Sequence, residues 1–199
     1  MIVAVLLVMS QLVSCAQNSK RKEMDMNDRK ILVAYFSRAG ENYAVGNVKK
    51  GNTEIVAEMI AGFTGGTLFR IDPVKPYPES YEACTEVARA ELNSGARPAV
   101  KGDVDVEDYD VIFIGYPNWW GDMPMAVYTF IEKHDWQGKT VLPFCTHEGS
   151  GLAGTERKLA MACRGADVCE GLAIRGEVAQ HSRGKARQQV SNWLENQDH

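Results

Sequence analysis

Three continuous apolar runs of strand length stand out along the chain: Ile31-Leu32-Val33-Ala34-Tyr35-Phe36, Val111-Ile112-Phe113-Ile114-Gly115-Tyr116 and Thr140-Val141-Leu142-Pro143-Phe144-Cys145. Runs without polar alternation suit parallel strands that are buried on both faces. Residues 67–71 and 168–174 are weaker strand candidates. Between the runs, apolar residues recur at helical spacing. Ile55, Val56, Met59, Ile60 and Phe63 form one stripe, stopped by Gly65-Gly66. Tyr81, Cys84, Ala88 and Leu92 form a second, ended by Gly95. Asp122 is placed to cap a third helix with Pro124 in its first turn. A fourth helix is expected over 155–163, and Ala186, Val190, Trp193 and Leu194 stripe a last one. Strand and helix alternate throughout, which implies an α/β doubly wound three-layer sandwich with a five-stranded parallel sheet.

The front of the chain does not fit that alternation. Residues 1–9 are an unbroken apolar run, too short to span a bilayer, which needs about 20 such residues. The run has the size of a signal-peptide core, although a buried first strand would read the same way. It leads to Leu12-Val13-Ser14-Cys15, which resembles the lipobox of bacterial lipoproteins. No Lys or Arg precedes the run, a departure from the usual charged start. The resemblance implies cleavage before Cys15, lipidation of Cys15, and an exported, membrane-anchored protein whose only membrane contact is that anchor. The expected division is a signal peptide at 1–14, a polar tether at 15–29 and a single domain at 30–199.

Composition removes several classes. The chain of 199 residues is 45% hydrophobic and 24% charged, so it is neither disordered nor fibrous. A net charge of -4 argues against a nucleic-acid platform, which normally shows a basic face. Five scattered cysteines are too few for a disulfide scaffold; Cys163 and Cys169 are either bridged or buried as thiols. The histidines show no metal-ligand spacing.

In doubly wound sheets ligands bind beyond the carboxyl ends of the strands, where the strand order reverses. The segments that follow the three strong strands are therefore the candidates. Ser37-Arg38-Ala39-Gly40, a ten-residue interruption at 41–50, and Gly51-Asn52-Thr53 opening a helix suit an anion; a plain turn capped by Asn52 is the alternative. Pro117-Asn118-Trp119-Trp120-Gly121 sets two adjacent tryptophans in a loop, where they need a stacking partner. That partner is a satellite core cluster, an interface, or a flat conjugated ligand. Thr146-His147-Glu148-Gly149-Ser150-Gly151 offers close backbone approach and polar side chains, or is simply a polar loop. Phosphate donors, aromatic stacking and polar edge recognition together describe a phosphorylated aromatic cofactor.

With these three loops the sequence resembles the flavodoxin family of FMN proteins. The matching pieces are ILVAYFSRAGEN with GNTEIVAEMI, VIFIGYPNWWGDMPMAV, and VLPFCTHEGSGLAG, spread from residue 30 to the C-terminus. The resemblance implies strand order 2-1-3-4-5 and FMN as cofactor. It assigns the phosphate to Ser37, Arg38, Asn52 and Thr53. The ring falls to Pro117, Asn118, Trp119, Trp120 and Gly121, and its polar edge to Thr146, His147, Gly149, Ser150 and Gly151. The interruption at 41–50, with Asn42, Tyr43, Lys49 and Lys50, departs from the family's compact phosphate loop and is expected to fold over the phosphate or ribityl chain.

The function implied is an electron carrier or small oxidoreductase, an NAD(P)H:quinone type among them. Its partner is a redox protein or a small-molecule acceptor. Trp119 or Trp120 would stack on the ring, and a flexible 118–121 backbone would accept a hydrogen bond from its N–H. Glu148 would disfavour an anionic ring, and a protonated His147 would favour it. Two rivals stand beside this reading. One is a binding module of the same fold without turnover. The other is a hydrolase using Cys145 and His147, two residues apart at a strand end, as a nucleophile pair.

Overall fold

The computed structural model describes residues 29–197. The signal segment, the lipidation at Cys15 and all but the last residue of the tether lie outside them. In chain order the elements are β1 (Ile31–Tyr35), the hairpin strands β2 (Gly40–Asn42) and β3 (Gly46–Val48), α1 (Asn52–Thr64), β4 (Thr67–Arg70), β5 (Asp72–Pro73), α2 (Tyr81–Ser94) and β6 (Val100–Lys101). After a 3₁₀ turn at Val106–Asp108 come β7 (Val111–Pro117), α3 (Met125–Ile131), β8 (Thr140–His147), α4 (Thr155–Ala162), β9 (Asp167–Val168), β10 (Leu172–Arg175), α5 (Gly176–His181) and α6 (Arg183–Glu195).

The main sheet is parallel, in the order β4-β1-β7-β8-β10, with β9 also paired to β8. Numbered by its five principal strands, this is the expected 2-1-3-4-5. The uninterrupted apolar runs are explained by burial on both faces. Leu32, Ala34, Ile112, Ile114, Tyr116 and Val141 face a cluster with Val127, Phe130 and Leu159 of α3 and α4. Ile31, Val33, Tyr35, Phe113, Leu142 and Phe144 face a second cluster with Ile55, Ile60, Val190 and Trp193 of α1 and α6. Gly115 breaks the run in β7 because the Phe144 ring occupies the space beside it; a Cβ there would lie 2.0 Å from that ring.

The fifth strand departs from expectation. Residues 168–174 are not one strand but β9 and β10 with a break between. Val141 pairs with Val168 and Phe144 with Leu172, so the outer chain advances four residues while β8 advances three. Cys169 N donates to Val141 O at 2.9 Å. Pro143, two residues further along β8, points its missing N–H at the same neighbour. The extra outer residue sits where that hydrogen bond is lost.

One further correction and one further detail bear on the site. Asp122 does not cap α3: that helix begins at Met125, and Pro124 itself holds the cap position. Asp122 instead accepts from Met123 N and Tyr128 OH. The interruption at 41–50 is the β2–β3 hairpin, held against the start of α2 by Glu41 N donating to Glu79 O at 3.0 Å and Tyr81 N donating to Glu41 Oε2 at 2.9 Å.

Candidate functional site

Beyond the carboxyl ends of β1, β7 and β8 lies a cavity of about 590 Å³, within the range of small-molecule sites. Chain leaves β1 for β4 on one side and β7 continues the sheet on the other, so the cavity stands at the point where strand order reverses.

The first loop supplies one end. Asn52 and Arg38 line the cavity, but Ser37 and Thr53 are buried behind it. Ser37 Oγ accepts from Glu54 N at 3.0 Å and so satisfies one of the orphan amides of the first turn of α1; the amides of Asn52 and Thr53 precede it. Thr53 Oγ1 lies 2.7 Å from Thr146 Oγ1 and ties α1 to the end of β8. Asn52 does not cap the helix: the cap position is Gly51, and Asn52 Oδ1 accepts from Gln180 Nε2 at 2.8 Å. A Cβ on Gly51 would sit 2.3 Å from Ser37 Oγ and 2.4 Å from Arg38 O, so only glycine lets the hairpin re-enter α1 this closely. The Arg38 guanidinium donates to the carbonyls of Pro78, Glu79 and Glu41, which makes it a clamp on the hairpin and the α2 entry.

The second loop is a braced turn. Trp119 N donates to Asp122 O at 2.9 Å and Asp122 N to Trp119 O at 3.1 Å. Trp120 and Gly121 between them have φ of 57° and 75°, the left-handed pair of a type I′ turn. For a residue as large as tryptophan that conformation costs on the order of 1–2 kcal/mol. Asn118 Oδ1 accepts from Gly121 N and its Nδ2 donates to Gly151 O, both at 3.0 Å. Lys158 Nζ donates to Gly121 O at 3.1 Å and to Asp122 Oδ2 at 2.6 Å. The expectation of a flexible 118–121 backbone is therefore corrected: the turn is held from three sides.

The two tryptophans divide the readings proposed for them. Trp119 packs edge-on against Phe36 at 5.2 Å and Tyr77 at 5.0 Å and belongs to a satellite of the core. Trp120 is 51% exposed on the cavity rim, its Nε1 donating to Thr85 O at 3.1 Å.

In the third loop Thr146, His147, Gly149 and Ser150 line the cavity beside Pro117, the β7 neighbour of Thr146, while Gly151 does not. Gly149 N donates to His147 Nδ1 at 2.9 Å, which fixes the neutral imidazole. Burial, reinforced by Arg175, lowers the His147 pKa. Burial raises that of Glu148, whose Oε1 accepts from Glu177 N at 3.1 Å while its Oε2 is buried without a hydrogen-bond partner. Burial thus disfavours the charged form of both groups.

The cavity also uses residues that sequence reasoning missed. Tyr81, Cys84, Thr85 and Ala88 of α2 form a wall. The helical spacing of Tyr81, Cys84 and Ala88 was the available signal, but it reads as a core face. The nucleophile pair is not formed. The Cys145 thiol is buried and its hydrogen bonds run to the carbonyls of Thr146 and Gly151. Burial pushes its pKa up to about 12, the wrong state for a thiolate nucleophile. Among the described residues no disulfide joins Cys163 and Cys169, and no group of three or more His, Cys, Asp or Glu is placed to hold a metal ion.

The flavodoxin family model matches residues 30–197. The chain belongs to the flavodoxin family. Among solved structures, this flavodoxin is similar to a protein of Bacteroides eggerthii described as a flavoprotein, at 32% identity and a TM-score of 0.67, covering 84% of this chain and 97% of that one. A second protein so described, from Bacteroides uniformis, is 29% identical with a TM-score of 0.65, over 83% and 97% of the two chains. A flavoprotein of Lactobacillus acidophilus, solved in complex with FMN, shares the fold at 20% identity and a TM-score of 0.58, over 78% and 99%. No curated protein matches this flavodoxin.

Proposed function

We propose that this flavodoxin binds FMN in the cavity at the β1/β7 reversal and serves as an electron carrier or small oxidoreductase through it. The observation that carries the reading is the convergence of three loops from three parallel strand ends on one cavity. At one end of it a helix N-terminus is approached through Gly51, where no side chain fits.

When bound, FMN supplies the hydride and electron chemistry. The protein's residues then have separate tasks. The start of α1 at Asn52 presents amides and the positive end of a helix dipole to the phosphate. Trp120, exposed on the rim, offers a face for stacking. The braced turn at 118–121 fixes the backbone groups that meet the ring. Burial opposes the charged forms of both His147 and Glu148 at the polar edge, and Arg175 is the cation whose field reaches both. Lys158 stands behind Gly121 as the nearest fixed cation of the turn.

Reconstitution with FMN followed by a visible spectrum tests the reading: a flavin spectrum on the desalted protein is expected, and none would refute it. Oxidation of NAD(P)H with a quinone acceptor then separates an enzyme, which turns over, from a carrier, which holds flavin without turnover. We also propose that Cys15 carries a lipid anchor, supported by the Leu12-Val13-Ser14-Cys15 pattern. Mass spectrometry of membrane-fraction protein should find an acylated Cys15 at the N-terminus; an intact Met1 terminus would overturn that.

A further inference from the structure

The left-handed turn fixes the backbone of Trp120 but leaves its side-chain torsions unset, and the indole is 51% exposed. Its position is set instead by two residues of α2. Trp120 Nε1 donates to Thr85 O at 3.1 Å, and the Arg89 guanidinium carbon lies 4.8 Å from the centre of the ring. Thr85 and Arg89 stand one helical turn apart, so they share one face of α2. One holds the edge of the indole and the other covers a face. The helix that carries them is anchored at both ends: Tyr81 N donates to Glu41 Oε2 at its start, and Tyr77 OH donates to Glu91 near its end.

The cavity decides which face of the indole is covered. Trp120, Thr85 and Ala88 line it, whereas Arg89 does not. The guanidinium therefore lies on the side of the indole turned away from the cavity, and the opposite face is left open to it. Among the described residues Arg89 has no ion-pair or hydrogen-bond partner, and the Trp120 ring is what it meets. A planar cation over an indole is attracted by the negative face of the ring and packs flat on it.

From this we infer that Arg89 is a positioning residue for the cofactor. Stacked behind Trp120, with Thr85 holding the indole N–H, it presents the cavity-side face of that indole to the isoalloxazine ring, a role that rests on FMN occupying the cavity. The stack then runs guanidinium, indole, flavin. An exposed tryptophan already held in place spares FMN the cost of ordering it on binding. The role also gives α2, whose buried residues are Cys84 and Ala88, a task at the site.

The test is FMN titration of the full chain and of its Arg89→Met and Arg89→Lys variants, each also in a Trp120→Ala background. Affinity is read by flavin fluorescence, and the setting of the ring by visible circular dichroism of the bound flavin. Methionine keeps apolar length without charge, and lysine keeps a cation for the ring face. Arg89→Met is expected to weaken FMN binding about two- to fivefold and to change the dichroism. Arg89→Lys should restore most of both, and Arg89→Met should have no effect in the Trp120→Ala background. Equal affinity in the parent and Arg89→Met, unchanged dichroism, a lysine variant no better than methionine, or the same loss without Trp120 would each overturn it. Should Trp120→Ala hold no FMN, the dichroism of the single variants decides. A parent that takes up no FMN refutes the cofactor reading and this role with it, whereas FMN binding indifferent to Arg89 overturns the role alone.

Discussion

The hydroxyl pair between Thr53 and Thr146 is the joint between two walls of the site. It links the first turn of α1 to the end of β8 at 2.7 Å, with residues that are 1% and 3% exposed. Thr146→Val leaves the Thr53 hydroxyl buried with its partner replaced by a methyl group, and Thr53→Val does the converse. Each should cost about 1–3 kcal/mol, the penalty for a buried polar group left unsatisfied. The double variant removes both hydroxyls and leaves nothing orphaned, so it should cost less than the sum of the two and approach one single variant or better. For a domain of this length each kcal/mol moves Tm by about 2–4 °C. Urea unfolding of the four proteins closes the cycle. Additive single costs, or singles indistinguishable from the parent, would show that the pair does not hold α1 against β8.

Gly51→Ala, whose Cβ meets backbone at 2.4 Å, should lose about 1–3 kcal/mol and weaken FMN binding. Gly62→Ala in the same helix has nothing within 4 Å and should be neutral or stabilising; equal effects would remove the steric argument. Because burial lowers the His147 pKa, the unfolded chain binds the extra proton first, so stability should fall as pH drops below about 6.5 towards the depressed folded value. His147→Gln should flatten that slope in urea unfolding at pH 7.5 and 5.5, while the raised Glu148, which acts in the opposite sense, is common to both proteins; an unchanged slope contradicts this. Cys145 and Cys163, each held at about 12, should resist alkylation at pH 8 in the native protein and react after unfolding, read by peptide mass spectrometry. Native labelling of Cys145 would reopen its case as a nucleophile.

The strand ends that carry the site were legible because burial on both faces writes an uninterrupted apolar run, and ligand position follows from topology. Of the residues proposed from the three loops, most line the cavity, while Ser37, Thr53 and Gly151 support it from behind. What was not legible has local causes. The β2–β3 hairpin is three residues a side and carries no alternating apolar pattern, so nothing marks it as strand. The break between β9 and β10 depends on Pro143 in the neighbouring strand, distant in sequence. Asp122 has the spacing of a cap, yet its carboxylate is claimed by Lys158 and Tyr128. The α2 stripe reports which residues are shielded, not whether a core or a ligand shields them.

The most direct test of the account is equilibrium titration of the purified full chain with FMN, followed by quenching of flavin fluorescence and confirmed by the visible spectrum after desalting. The account predicts one FMN per chain, with quenching that weakens on Trp120→Ala and affinity that falls on Gly51→Ala. Flavin fluorescence that stays at its free value across the titration, with no flavin retained after desalting, would contradict it.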